Sequence, residues 1–265
     1  MPLRKRKSPG ATLEPSVKRV LLFDLVGTLV DEASDYESLD AAFEAARERF
    51  RIPDEASALS GDFSLALMEI LRGEDPDGET PGTGPASEFV PFEEAAKEIF
   101  RAVLEVRGVE ATEADAAWFW ATFVATQRRT IRLHADAEQA LAWARAKGYQ
   151  IWVLTDADPY FLRDVLAGTG LAERWDGVVT AAEAGYPKPD PRLFLHALSR
   201  AGALPADAIM VGDSYERDLL GARAAGIHRA VLVDRHRART VDDVPVITSL
   251  AALPSALARL APSLN

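Results

Sequence analysis

The feature that most constrains this chain is an alternation in its C-terminal half. Short β-rich runs, YQIWVLT (149–155), GVVTA (177–181), AIMVGD (208–213), RAVLVD (229–234) and VPVIT (244–248), are separated by amphipathic helical patterns at about 136–147, 159–167, 191–201 and 216–225. Apolar runs that each lead into a helix predict parallel strands covered on both faces, an α/β, Rossmann-like three-layer architecture. The segment 20–26, whose apolar run goes from Val20 to Phe23, belongs to the same class but stands far ahead of the others.

Between that first run and the second, residues from about 35 to 130 read as mostly helical: YESLDAAFEAARERF, FSLALMEILR, FEEAAKEIFRAVLEV and ADAAWFWATFVATQ. This pattern predicts a helical insertion after the first strand. Within it, GEDPDGETPGTGPAS (73–87) carries too much Gly, Pro and acid to bury a core and is expected to be a flexible loop. The expected organisation is a basic flexible tail over 1–16, a core over 17–33 and 134–265, and an inserted α-helical unit over 34–133. Trp118, Phe119, Trp120 and Phe123 are expected to pack that unit, with pocket lining as the other reading.

In an open parallel sheet, ligands bind outside the carboxyl ends of the strands. Those ends carry Asp24 after the first strand, Thr155 and Asp156 after the second, and Asp213, Ser214 and, a helical turn on, Asp218 after the fourth. The loop after the third, GYPKPDP, holds Lys188 between two prolines. One such residue is ordinary helix capping. Four strand ends that together supply carboxylates, a hydroxyl and a stiffly held ammonium point to phosphoryl transfer. Asp24 and Asp213 can share Mg2+, a hard cation that takes a few carboxylates, waters and a substrate phosphate. Asp24 then attacks phosphorus, Thr155 and nearby backbone N–H groups hold the transferring oxygens, and Lys188 offsets remaining charge.

With these residues placed, the chain resembles the haloacid dehalogenase (HAD) superfamily over nearly its whole length. The family's first motif, Asp-x-Asp-x-Thr/Val, matches Asp24 to Thr28 at all but one site; its second matches Thr155, its third Lys188, and VGDSYERDLLGARAAG (211–226) closely matches its fourth. The resemblance implies a Rossmann-like core with a helical cap inserted after the first motif, Asp24 as nucleophile, and a metal set of Asp24, Asp213, the Val26 backbone carbonyl and Asp218, with Ser214 in support. It places phosphate against Gly27, Thr28, Thr155, Asp156 and Lys188.

The departure is Val26, where the family's phosphatases have an aspartate that protonates the leaving oxygen and then activates water. Losing a general acid/base costs about 10²–10⁴ in rate. The expected activity is therefore a Mg2+-dependent phosphohydrolase that works through an aspartyl-phosphate on a small phosphorylated metabolite, slowly or on good leaving groups. Asp31 or a carboxylate from the insert is the candidate to activate water. The alternatives are a slow-turnover phosphotransferase or a non-catalytic binding protein. Two others are weaker: a 2-haloacid dehalogenase, which also lacks the second acid but uses no metal, and a phosphonatase, which needs a cap lysine. The only lysine there is Lys97, within a charged i, i+4 face.

Composition sets the remaining bounds. A formal net charge of −11 argues against general nucleic-acid binding. The absence of cysteine excludes disulfides, thiolate metal sites and a cysteine nucleophile. No apolar run reaches the roughly 18 residues of a membrane span, and the basic cluster Arg4 to Lys7 lacks the apolar stretch of a secretory signal. The expected setting is cytoplasmic, without membrane or nucleic-acid partners, as a monomer or homodimer.

Overall fold

The computed structural model describes residues 19–72, 91–237 and 241–260; the expected basic tail and the expected loop at 73–87 lie outside them. Its centre is a parallel six-stranded sheet in the order β3-β2-β1-β4-β5-β6. The strands are β1 (Arg19–Phe23), β2 (Tyr149–Thr155), β3 (Gly177–Thr180), β4 (Ala208–Gly212), β5 (Ala230–Val233) and β6 (Val246–Ile247). The run nearest the N-terminus thus lies in the middle of the sheet, paired with β2 on one side and β4 on the other.

The strand period explains the continuous apolar runs. Leu21, Phe23, Ile151, Val153, Ile209, Val211, Val231 and Val233 share one buried cluster with Ala140 and Leu141 of α5 (Ala137–Ala146) and with Leu253 and Leu257 of α9 (Leu253–Leu260). Their alternating neighbours Val20, Leu22, Trp152, Leu154, Ala208, Met210, Ala230 and Leu232 pack on the other face against Leu193, Phe194 and Leu198 of α7 (Pro191–Ala201). Each fully buried Leu, Val or Phe contributes about 1.5–3 kcal/mol relative to exposure. Both faces must therefore be apolar, and the strands cannot show polar alternation.

Four helices, α1 (Glu32–Phe50), α2 (Ala56–Arg72), α3 (Phe92–Glu105) and α4 (Glu113–Thr130), stand between β1 and β2. They enclose their own apolar cluster, with Phe43, Phe63, Phe100 and Phe119 buried together and the Phe100 and Phe119 rings stacked at 4.2 Å. Asp31 caps α1 by accepting from Ala33 N, and Thr112 and Asp115 cap α4 reciprocally. The chain entering this unit and the chain leaving it run side by side: Asp31 N donates to Arg132 O at 2.9 Å, His134 N to Leu29 O at 3.0 Å, and Val30 bridges Leu133 in antiparallel fashion.

Three elements differ in detail from the sequence reading. The helix expected at 159–167 is a π-helical turn, Phe161–Val165, followed by a 3₁₀ turn, Leu166–Thr169. That expected at 216–225 opens as a π-helical turn, Tyr215–Leu220, before α8 (Gly221–Ala224). The strand expected over 244–248 keeps only Val246–Ile247, because Pro245 has no N–H for the ladder and contributes only its carbonyl, to Leu232 N at 3.0 Å. Among the described residues no helix is long and apolar enough to cross a membrane.

Candidate active site

The strand order reverses direction at β1, so the crevice outside the carboxyl ends of β1 and β4 is where such a sheet accepts ligands. Asp24 follows β1 immediately, and its N–H extends the ladder by donating to Val211 O at 2.9 Å. The chain then curls tightly: Leu29 N and Val30 N both donate to Leu25 O at 2.8 Å, and Gly27 N donates to Val30 O at 2.8 Å. Gly27 has φ +89, and a Cβ there would overlap the Asp213 carboxylate. Only glycine meets both the backbone conformation and the close approach.

Asp24, Asp213 and Asp218 bring ligand oxygens within 4.8 Å of one another. Lys188 reaches this cluster from the loop before α7 and is itself buried. Its Nζ donates to Asp24 Oδ1, and to Asp218 Oδ1 at 2.7 Å. Asp24 Oδ2 is shielded from solvent and has no hydrogen-bond partner among the described residues. The π-helical turn serves the same centre. Asp218 N returns to Ser214 O at 3.0 Å and Ser214 N donates to Asp218 Oδ2 at 3.0 Å, so the turn folds the Asp218 carboxylate back over the end of β4. Ser214 Oγ accepts from Arg217 N, and a Cβ on Gly212 would strike Asp218.

Three carboxylates in so small a space cannot all ionise freely. Lost hydration, then the negative charges of Asp24 and Asp218, raise Asp213 to about 8. Burial raises Asp218 to about 6, with Lys188 pulling the other way. Burial alone would depress the Lys188 ammonium, but Asp218, Asp24 and Asp156 hold it above the usual lysine range. The cluster carries more negative charge than one ammonium balances, and its donors are hard oxygens. Together with the unpartnered Asp24 Oδ2, this fits a divalent cation of the Mg2+ kind.

The remaining residues singled out from sequence divide by what they touch. Thr155 is buried, and its Oγ1 accepts from Ala157 N at 3.0 Å. The Thr28 hydroxyl faces Asp213 Oδ1 at 3.4 Å. The Asp156 carboxylate accepts from Lys188 N at 2.9 Å and pairs with Arg217, so it braces the lysine loop. Val26 is half-buried against the core cluster, an apolar side chain where a second acid would stand. Asp31 Oδ1 caps α1, and Asp31 Oδ2 lies 3.4 Å from Arg132. Lys97 pairs with Glu93 at 2.6 Å along its own helix. Of the aromatic group, Phe119 and Phe123 are core, whereas Trp120 packs edge-on against Tyr160, beyond β2, at 4.6 Å.

Several contributors were missed from sequence. Arg235 donates to Thr28 O at 2.8 Å and is clamped by both oxygens of Asp136 at 3.1 Å, which steadies the loop after Asp24. Asp158 accepts from Phe92 N at the start of α3, a contact between the helical unit and the segment after β2. Asp136 opens the helical pattern at 136–147, and its pairing with Arg235 across 99 residues leaves no local signal.

Comparison with known proteins places the fold. The profile of the haloacid dehalogenase-like hydrolases matches residues 18–226. The phosphoserine phosphatase of Thermus thermophilus is 41% identical over 160 residues, 59% of this chain and 60% of that enzyme, so the match spans about three fifths of the relative. Among solved structures, the HAD-family protein YfnB of Bacillus subtilis, bound to magnesium, has a TM-score of 0.71 at 19% identity over 92% of this chain and all of that one. A 2-haloacid dehalogenase from Pseudomonas syringae pv. Tomato DC3000 has a TM-score of 0.65 at 26% identity over 92% and 100%.

Proposed function

The chain belongs to the haloacid dehalogenase-like hydrolase family, and on that premise we propose that it is a Mg2+-dependent phosphohydrolase acting through an aspartyl-phosphate on a small phosphorylated metabolite. The observation that carries the reading is the arrangement at Asp24. One carboxylate oxygen is held by a buried ammonium, and the other is buried, unpartnered and flanked by Asp213 and Asp218. The helices α1–α4 act in this reading as a cap over the crevice.

Asp24, Asp213, Asp218 and the Val26 carbonyl would hold the cation, which supplies positive charge against the substrate phosphate and the developing transition-state charge. Lys188 fixes the Asp24 carboxylate through Oδ1 and so sets its orientation toward the substrate phosphate. The bond from the Asp24 carboxylate to phosphorus forms as the P–O bond to the leaving group breaks, and the leaving oxygen departs with the electron pair. Water then attacks phosphorus, the Asp24–phosphate bond breaks, and inorganic phosphate and the free carboxylate result. Lys188 keeps its proton throughout, because its three acidic neighbours hold its pKa high, and serves as fixed positive charge. Val26 donates no proton, so leaving groups that need none, such as acyl or aryl phosphates, are favoured.

Acetyl phosphate or p-nitrophenyl phosphate with Mg2+ should give turnover that Asp24→Asn abolishes, with mass spectrometry detecting a phosphorylated Asp24 peptide in the parent protein. Turnover that survives Asp24→Asn removes Asp24 as nucleophile. Val26 also favours a second reading, 2-haloacid dehalogenation, since a departing halide needs no proton. The three-carboxylate cluster and the phosphatase similarity weigh against it. Chloride release from 2-chloropropionate without metal would reverse that order.

A further inference from the structure

A second group of metal-ligating side chains lies where the paired segments join the helical unit to the sheet. Asp31 and Glu32 stand on the segment entering α1, His134 on the segment leaving α4, and His236 on the loop after β5. Ligand atoms of Asp31, Glu32 and His134 all lie within 4.8 Å of one another. Glu32 Oε2 is 3.5 Å from His134 Nε2, and Glu32 Oε1 is 3.3 Å from His236 Nε2. Two ligands of a tetrahedral ion, each at about 2.1 Å from it, stand about 3.4 Å apart. Glu32 Oε2 and His134 Nε2 are both shielded from solvent, and neither has a hydrogen-bond partner among the described residues.

We propose that Asp31, Glu32 and His134, with His236 as a fourth ligand from the exposed side, bind a divalent cation of the Zn2+ class that ties both connecting segments to the sheet. Imidazole nitrogens with carboxylates select Zn2+ and its first-row neighbours over Mg2+, which takes oxygen alone. The two guanidinium groups nearby are already matched. Arg132 is held bidentately by Glu37 at 2.7 and 2.8 Å, and Arg235 by Asp136 at 3.1 Å. Asp31 Oδ1 caps α1, which leaves Oδ2 with only the 3.4 Å approach of Arg132. The ion would join three parts of the chain that β1, α4 and β5 deliver separately. It would stiffen the pivot about which α1–α4 connect to the sheet.

The test is calorimetric titration of Zn2+ into the chelator-treated full-length protein in excess Mg2+, repeated with Asp213→Asn, His134→Ala, Glu32→Gln and His236→Ala. The expected result is one Zn2+ per chain that survives Asp213→Asn. His134→Ala and Glu32→Gln should each weaken it by at least the roughly 10–100-fold that even an outer partner is worth. Co2+ bound to the parent protein should show visible d–d absorption that His134→Ala removes. His236 is exposed, so its replacement leaves folding intact and tests the fourth ligand without that ambiguity. Circular dichroism of the metal-free variants checks that each is folded. Absence of Zn2+ binding, or Zn2+ binding lost with Asp213→Asn but indifferent to His134, Glu32 and His236, would overturn the proposal. The histidines would then be simple ion-pair partners of Glu32.

Discussion

Lys188 Nζ grips one carboxylate oxygen of Asp24 and leaves the other buried, without a hydrogen-bond partner. The two residues are 164 positions apart, and the contact leaves Oδ2 as the carboxylate oxygen without a partner among the described residues. The same ammonium also holds Asp218, so it acts as the counterion of the centre as well as the group that orients Asp24.

Replacing it should therefore harm both stability and rate. Lys188→Met leaves buried carboxylates uncompensated, and breaking a buried pair from one side costs about 3–5 kcal/mol. Urea denaturation should show that loss in metal-free protein, with Mg2+ recovering part of it because the cation restores positive charge. The rate on acetyl phosphate should fall about 10²–10³-fold, as when one charge-stabilising donor is removed. Unchanged stability without metal would mean that the carboxylates are neutral in the resting protein.

The pH dependence follows from the raised carboxyls. Asp213 at about 8 and Asp218 at about 6 both lie above the ordinary value of 3.8. Groups raised on folding contribute stability that is full below about pH 4 and is lost as pH rises through 6 and then 8. Metal-free protein should accordingly lose melting temperature between pH 5 and 9 from this source. In the proposed site Mg2+ would bind the deprotonated cluster, so its affinity should climb over the same interval, and thermal melts with and without Mg2+ should diverge as pH rises. Curves that stay parallel would show that these carboxyls do not bind the ion.

Gly27→Ala tests the crowding beside the nucleophile. The residue has φ +89 and no room for a Cβ against Asp213. The left-handed backbone alone costs a non-glycine residue about 1–2 kcal/mol, and displacing Asp213 should weaken Mg2+ binding as well. A variant with parent-like melting temperature and Mg2+ affinity would show that the loop relaxes freely.

Val26→Asp probes the missing acid directly. If leaving-group protonation limits turnover, the variant should gain up to about 10²–10⁴-fold on alkyl phosphates, with little change on acetyl phosphate. Parallel kcat measurements on the two substrate types decide this, because a structural effect would shift both alike.

Much of this molecule is legible before any coordinates. The apolar runs are buried on both faces, so they announce a parallel sheet in one dimension. The residues that terminate them, Asp24, Thr155 and Asp213, are therefore placed at one edge by topology alone. Val26 is legible too, as a departure that needs no geometry to notice. Asp156 illustrates the limit: its place after Thr155 is legible, but the pairing of its carboxylate with Lys188 N and Arg217, 32 and 61 positions away, is not.

The chain itself determined the alternating elements and the chemistry at the strand ends, because local periodicity and capping are short-range effects. What tertiary structure alone decided is which oxygens are occupied and which are not. The grip of Lys188 on Asp24, the clamp of Asp136 on Arg235 and the convergence of Glu32 with two histidines join residues between 99 and 204 positions apart. Such contacts arise from packing and from the cost of burying charge without a partner, and most of them leave no periodic trace in the sequence.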